Sequence, residues 1–188
     1  MRTFIAIDIT LEIRERVSRF MEQIRTSLPG ARWVREEGMH ITLKFLGEIS
    51  PEQKNAIENA LRTIKSSPFK IAVRGFGFFP NARSPRVFWA DIEADDALPA
   101  LASEVDEALM TVGFEKEKQA YKPHLTLARL KPQRSRFADG AKSLLEHTQP
   151  DFGTMTANEF FLYQSKLSPR GATYTKLTRF ALEGTATK

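Results

Sequence analysis

Two segments of the chain repeat the same pattern, a histidine followed two residues later by a threonine. The first reads HITLKFL at residues 40–46, and the second reads HLTLARL at residues 124–130, in the other half of the chain. In both segments apolar residues alternate with polar ones, as is typical of a half-buried β-strand. A strand that occurs twice in 188 residues indicates an internal duplication, and this limits the fold to two similar units.

The elements that precede the two strands repeat as well. A strand at 3–9 leads into a helix whose N-cap is Thr10, and a strand at 86–92 leads into a helix that ends at Gly113. We therefore expect the two halves to superpose at one constant shift in numbering, the shift that carries His40 onto His124. The same shift places Ile5 on Trp89 and Val17 on Leu101.

Further elements follow each histidine strand. Ser50 and Gln53 form a capping box with Pro51 at the first helical position, which predicts a helix. A strand at 69–73 and a turn region at 75–81 come next. In the second half we expect a short helix around 137–145 and then two strands, at about 155–165 and 172–182.

These elements predict an α+β fold with two lobes related by a pseudo-two-fold axis. Each lobe is a strand-helix-strand-helix-strand unit with an antiparallel-type sheet that helices cover on one side, and the two polar sheet faces meet at a central cleft. We expect a single domain over residues 1–188, with repeat halves at about 1–80 and 85–166 and a closing strand at about 172–182.

Composition narrows the classes of function. The formal charge of +5 favours a polyanionic partner such as RNA, because basic side chains that neutralise phosphates release counterions. The absence of cysteine excludes disulfides, thiol catalysis and cysteine-rich metal sites, and it fits a cytoplasmic protein. The N-terminal run MRTFIAIDIT is too short for a signal peptide or a membrane span, so we expect no membrane contact.

The two histidine strands also carry the residue types that phosphodiester hydrolysis needs. Side chains two apart on a strand point to the same face, so His40 lies beside Thr42 and His124 beside Thr126. Two imidazoles can supply a general base and a general acid, and two hydroxyls can bind phosphoryl oxygens. A metal site is the competing interpretation, but two histidines without a third ligand on these faces make a poor set. We therefore expect neither metal nor cofactor.

Other residues are weaker candidates. Strict alternation places Arg129 on the leucine face, so twist at the strand end would be needed for it to reach the phosphate, whereas Lys44 falls on the histidine face. We expect His147 to lie on the surface or at a helix end. Four aromatic residues near the motifs could stack on a base or pack in the core: Trp33, Phe45, Tyr163 and Tyr174.

At these motifs the sequence resembles the two-histidine (2H) phosphoesterase superfamily, and more closely the bacterial RNA 2′,3′-cyclic phosphodiesterases, also called 2′-5′ RNA ligases. The resemblance runs from RTFIAIDI at the start through HITLKFLG and KPHLTLAR to a closing stretch with Ser165, Gly171 and Tyr174. It implies a LigT-like fold and an enzyme that opens RNA 2′,3′-cyclic phosphate ends to 2′-phosphates.

The resemblance also implies roles for residues. His40 would be the proton donor and His124 the proton acceptor, Thr42 and Thr126 would bind the phosphate, and Arg129 matches a position that often assists. Ligation of 2′-5′ bonds would be the reverse reaction. Two alternatives stay open, a phosphodiesterase for small cyclic nucleotides or nucleotide-sugar cyclic phosphates and a noncatalytic module that binds RNA ends. We expect a monomer.

Overall fold

The structure, a computed structural model, describes residues 1–131, 136–168 and 171–184. Its strands are β1 (Arg2–Asp8), β2 (Arg32–Trp33), β3 (His40–Glu48), β4 (Phe69–Phe79), β5 (Val87–Ala94), β6 (His124–Arg129), β7 (Asp151–Ala157), β8 (Glu159–Ser168) and β9 (Gly171–Ala181). Its helices are α1 (Leu11–Ile24), α2 (Pro51–Leu61), α3 (Ala97–Met110) and α4 (Arg136–His147), with short 3₁₀ turns at Arg25–Ser27 and Glu36–Gly38.

Local side-chain hydrogen bonds fix the starts of the first two helices, as the sequence predicts. The Thr10 hydroxyl accepts from the Ile13 backbone N–H at the start of α1. At α2, Ser50 and Gln53 form the complete capping box. Such caps satisfy backbone N–H groups that have no partner inside the helix, and each typically contributes about 1 kcal/mol.

One curled antiparallel sheet connects both halves of the chain. Its strand order is β7-β4-β5-β6-β3-β1-β8-β9, with β2 paired to β6. The last strand of each unit therefore pairs with the first strand of the other unit, β4 with β5 and β8 with β1. This exchange brings the two histidine strands, β3 and β6, side by side at the centre of the sheet. The sequence predicts this mixed fold of helices and strands correctly.

Helices bury one face of this sheet. The apolar stripe of α1 is buried, and α3 packs against β3 on the same side. A small separate cluster of buried residues, Phe4, Ala6, Phe161 and Tyr163, belongs to β1 and β8, with Tyr174 of β9 packed against it. The main core therefore lies under the helices, and an aromatic cluster lies beside the histidine face.

The two units do not superpose at the constant shift that we expected. Ile5 lies opposite Lys44, and the equivalent position opposite Ala128 is Phe88, so Ile5 matches Phe88 and does not fall on Trp89. The buried positions of α1 recur in α3 one residue later than the expected shift places them, so Val17 matches Ala102 instead of Leu101. The histidine strands keep the expected shift, as do β4 and β8, in which Phe78 and Leu162 hold equivalent positions opposite Phe88 and Ile5.

Two further boundaries differ from the sequence prediction. The region at 75–81 was predicted as a turn, but β4 continues through it to Phe79 and pairs with β5. The predicted strand at 155–165 is two strands, because β7 ends at Ala157 and β8 begins at Glu159. The helix around 137–145 and the strand at 172–182 are confirmed within one or two residues. No helix in the described ranges has both the length and the apolar character needed to cross a bilayer.

Candidate active site

The histidine strands meet at one pair of residues. Ile41 of β3 lies opposite Leu125 of β6 in antiparallel register. One step along this register in either direction places each motif histidine across from the threonine of the other strand. A cleft of about 510 Å³ opens over this junction, and all five predicted site residues line it: His40, Thr42, His124, Thr126 and Arg129.

A β-bulge interrupts each histidine strand at the same position of the repeat. In β3 the residues opposite Ala6 and Ile5 are Thr42 and Lys44, so Leu43 is the extra residue. In β6 the residues opposite Trp89 and Phe88 are Thr126 and Ala128, and Leu127 is extra. A bulge of this kind reverses the facing of every residue that follows it. Two consecutive residues therefore face the core in each strand, and the next one faces the cleft.

The bulges correct two expectations based on strict alternation, for Arg129 and Lys44, and they explain the position of Phe45, which the sequence left open. Arg129 was expected on the leucine face, but it is exposed and lines the cleft. Phe45 holds the equivalent position in β3, and it is 68% exposed at the cleft instead of packing with the core. Lys44 was expected beside the histidine, but it is buried under the helices and forms an ion pair with Asp106 of α3.

The ring of His124 hydrogen-bonds to the backbone two residues earlier. Its Nδ1 lies 2.8 Å from the carbonyl oxygen of Lys122. Because a carbonyl oxygen can only accept, Nδ1 of His124 carries the proton, and Nε2 of the neutral ring is left with a lone pair. The backbone of Gly38, two residues before His40, favours the charged form of that ring.

His40 lies in an aromatic, largely dehydrated pocket. Its ring centroid is 4.6 Å from Phe4, 5.1 Å from Tyr174 and 5.8 Å from Tyr163. Burial lowers the pKa of His40 from 6.5 to about 4, against the opposing effects of the Gly38 hydrogen bond and the Asp8 carboxylate. The ring is therefore neutral at pH 7 while the cleft is empty.

Two aromatic side chains flank the other histidine. The ring of Phe79 meets His124 edge-on at 5.1 Å between centroids, and Phe79 stacks on Trp89 at 4.9 Å. Because a turn was expected at 75–81, Phe79 was not among the predicted site residues. The pairing of β4 with β5, which brings Phe79 here, is a hairpin in which the Arg86 N–H donates to the Phe79 carbonyl.

Further cleft residues come from the start of β1 and from the β8–β9 hairpin. Ser165, Leu167 and Tyr174 line one side, and Leu167 is 70% exposed. Arg2 lies at the rim beside Phe4. Of the four aromatic candidates, Phe45 and Tyr174 line the cleft, Tyr163 packs against His40, and Trp33 packs on the core edge-on to Phe88.

Comparison with known proteins identifies the family. The sequence profile of the LigT-like phosphoesterases matches the chain twice, at residues 7–89 and 91–174. The chain belongs to the LigT-like phosphoesterase family. The starts of the two matched segments are as far apart as the two motif histidines, so each half of the chain carries one copy of the family's unit.

Relatives that match this chain over almost their full length are named as an enzyme. A protein of Archaeoglobus fulgidus named RNA 2′,3′-cyclic phosphodiesterase is 38% identical over 180 residues, covering 96% of this chain and 99% of the relative. Its namesake in Thermotoga maritima is 37% identical over 186 residues, covering 98% of this chain and 97% of the relative.

Solved structures of the family share the fold. The crystal structure of TT0787 from Thermus thermophilus matches with a TM-score of 0.82 at 30% identity, over 98% of this chain and 99% of that one. The E. coli LigT crystal structure in complex with 3′-AMP matches with a TM-score of 0.79 at 28% identity, over 96% and 97%.

In this LigT-like chain the third histidine lies apart from the cleft. His147 ends α4, where its Nδ1 lies 2.9 Å from the carbonyl oxygen of Ser143. Among the residues that the structure describes, no three His, Asp or Glu side chains gather into a group that could hold a metal ion. The predicted site residues contribute two imidazoles, two hydroxyls and one guanidinium to the cleft, which Arg2 and the hydroxyl-bearing Ser165 and Tyr174 also line.

Proposed function

We propose that this chain hydrolyses the 2′,3′-cyclic phosphate at the end of RNA to a 2′-phosphate, as an RNA 2′,3′-cyclic phosphodiesterase. The observation that carries the proposal is the convergence of two His-x-Thr strands, with Arg129, on one cleft. The relatives' name supplies the substrate, and the net charge of +5 suits a polyanion.

The proposed reaction needs two proton transfers. Nε2 of His124 accepts a proton from water as the water oxygen bonds to phosphorus, and the bond between phosphorus and the 3′ oxygen breaks. His40 donates a proton to the departing 3′ oxygen. Thr42, Thr126 and Arg129 donate hydrogen bonds to the two non-bridging oxygens, whose charge grows in the transition state. Every group in this sequence is a side chain of the protein, and no step uses a metal or a cofactor.

The assignment of donor and acceptor follows the family resemblance, and the two histidine environments bear on it. The hydrogen bond from Nδ1 of His124 to Lys122 leaves Nε2 free to accept, as a base requires. His40 is neutral in the empty cleft because burial lowers its pKa to about 4. An anionic phosphate beside the ring favours the charged form, so we propose that His40 takes up its proton when the substrate binds.

The same steps with a 5′ hydroxyl in place of water would join a cyclic phosphate end to that hydroxyl through a 2′-5′ bond, as the bond between phosphorus and the 3′ oxygen breaks. We propose that this ligation is measurable and reversible and that hydrolysis dominates in water. We also propose that residues 1–188 work as a single domain and as a monomer in the cytoplasm. The exchange of β4 and β8 between the two units supports a single domain, and the lack of cysteine suits a reducing compartment.

Product identification tests the proposal. An oligoribonucleotide with a 2′,3′-cyclic end and the matching cyclic mononucleotide would each be incubated with the protein in EDTA, and the terminal phosphate position would be assigned by ³¹P NMR. We expect a 2′-phosphate and a higher kcat/KM for the oligonucleotide. Binding without turnover would instead identify an RNA-end-binding module, and a preference for the mononucleotide would identify a small cyclic phosphate as substrate.

A further inference from the structure

The two histidine strands have few backbone contacts with each other. In the described part of the chain, β3 and β6 share a single Cα pair, Ile41 with Leu125. By contrast, β1 and β3 share seven pairs. Since the bulges interrupt both strands just beyond their threonines, the ladder between them cannot fix their spacing. Contacts outside the ladder must do so.

A tyrosine hydroxyl makes the first such contact. Tyr121, three residues before His124, donates from its hydroxyl to the backbone carbonyl of Thr42 at 3.0 Å. The ring is half-buried and packs against the main core. Burial raises the pKa of Tyr121, so the hydroxyl stays protonated and remains a donor at any pH at which the enzyme would work. The contact joins the segment that precedes the second motif directly to the backbone of the first motif.

A buried ion pair makes the second contact. Lys44 of β3 pairs with Asp106 of α3, and its Nζ also donates to the carbonyl of Glu115 at 2.8 Å. Asp106 in turn accepts from the backbone N–H of Glu117 at 3.0 Å. The segment that leads from α3 to the second motif is thereby held against the first histidine strand. Ala128 occupies the position equivalent to Lys44 in β6, so this ion pair belongs to one half of the repeat only.

We propose that Tyr121 and the Lys44–Asp106 pair are positioning residues, which hold β3 and β6 at the spacing that lets His40 and His124 flank one phosphorus atom. The inference rests on the proposed function. None of the three side chains lines the cleft. They act by holding the strands in place. A displacement of about 1 Å at the reacting groups can lower turnover by roughly 10²-fold.

The test compares two variants that each remove one hydroxyl-to-carbonyl hydrogen bond. Tyr121→Phe removes the contact with Thr42, and Thr63→Val removes a contact between Thr63 and the Ala60 carbonyl at the end of α2, away from the cleft. We expect Tyr121→Phe to lower kcat by roughly 10-fold with KM within twofold of wild type. Thr63→Val should lose similar thermal stability and keep the wild-type kcat.

A second variant tests the ion pair without leaving a buried charge. Removal of one partner of a buried pair is strongly destabilising, whereas replacement of both partners by apolar residues of similar size is often neutral. The double substitution Lys44→Met with Asp106→Leu should therefore fold and show the same loss in kcat at unchanged KM. A wild-type kcat in both Tyr121→Phe and the double variant overturns the proposal.

Amide hydrogen exchange separates this inference from the proposed function. Tyr121→Phe should speed exchange at Ile41 and Leu125 beyond its effect on global stability, and Thr63→Val should not. If the wild-type protein opens no cyclic phosphate, the proposed function fails, and local exchange then decides whether the positioning contacts exist. If exchange at these amides in Tyr121→Phe matches that in the Thr63→Val control, the positioning contacts are contradicted.

Discussion

Nδ1 of His124 donates a hydrogen bond to the carbonyl oxygen of Lys122 at 2.8 Å. The ring of His124 is thus held by the residue two positions before it in the chain. The Gly38 backbone, two positions before His40, favours the charged form of the other ring. The two pockets around the rings differ, because Phe4, Tyr163 and Tyr174 surround His40.

Arg129 gives a prediction about substrate binding. Arg129→Met removes the guanidinium that the bulge turns toward the cleft. A charge-assisted hydrogen bond contributes roughly 1.5–3 kcal/mol, so kcat/KM should fall by roughly 10- to 100-fold. Arg32→Met is the matched control, because Arg32 pairs with Arg129 across β2 and β6 without lining the cleft. If the two variants have equal kinetics, Arg129 does not bind the phosphate.

The empty and occupied cleft should differ in the protonation of His40. NMR titration of the ring should give a pKa of about 4 in the free protein, since burial disfavours the charged imidazolium. With saturating inorganic phosphate the pKa should rise by at least one unit. His147 lies outside the cleft, so added phosphate should leave its ring signals unchanged. A His40 pKa that stays at its free-protein value with phosphate bound would contradict its role as proton donor.

The same burial makes the free energy of unfolding depend on pH. The His40 ring titrates near 6.5 when unfolded and at about 4 when folded, so the unfolded state binds the extra proton first. This contribution is fully present above pH 6.5 and is lost as the pH falls toward 4, by at most about 3 kcal/mol. Urea unfolding at pH 7 and pH 4.5 should show a smaller acid destabilisation in His40→Gln than in wild type. Equal losses would mean that the ring is not buried.

The parts of this structure that sequence could predict are those that local chemistry determines. Thr10 and Ser50 begin helices because their side chains cap the following backbone N–H groups. The two histidine strands follow from their alternation and their repetition. These signals sufficed to place His40 and His124 in corresponding strands of one duplicated fold.

The bulges were missed because an extra residue in a strand is defined by the strand opposite. A signal was nevertheless present, since the leucines after each threonine are three residues apart in both copies. They are Leu43 and Leu46 in the first, and Leu127 and Leu130 in the second. A spacing of three breaks the period of two at the same place in both repeats. This repeated break is the sequence pattern that turns Arg129 toward the cleft and Lys44 away from it.

Long-range contacts were the other limit. Lys44 and Asp106 are separated by 62 residues, and nothing in either local segment indicates their pairing. The pairing of β8 with β1 is likewise a property of the assembled sheet. It brings Tyr163 to His40, which does not follow from the order of elements along the chain.

The central claim is that His40 and His124 act as one catalytic pair on one phosphorus atom. Its most direct test is the single-turnover rate of cyclic phosphate opening in EDTA for His40→Gln, His124→Gln and the double variant, with His147→Gln as control. Each single variant should be slower by at least roughly 10²-fold, and the double variant should be little slower than the worse single, because the two groups serve one step. A single variant that keeps a fifth or more of the wild-type rate would contradict the claim.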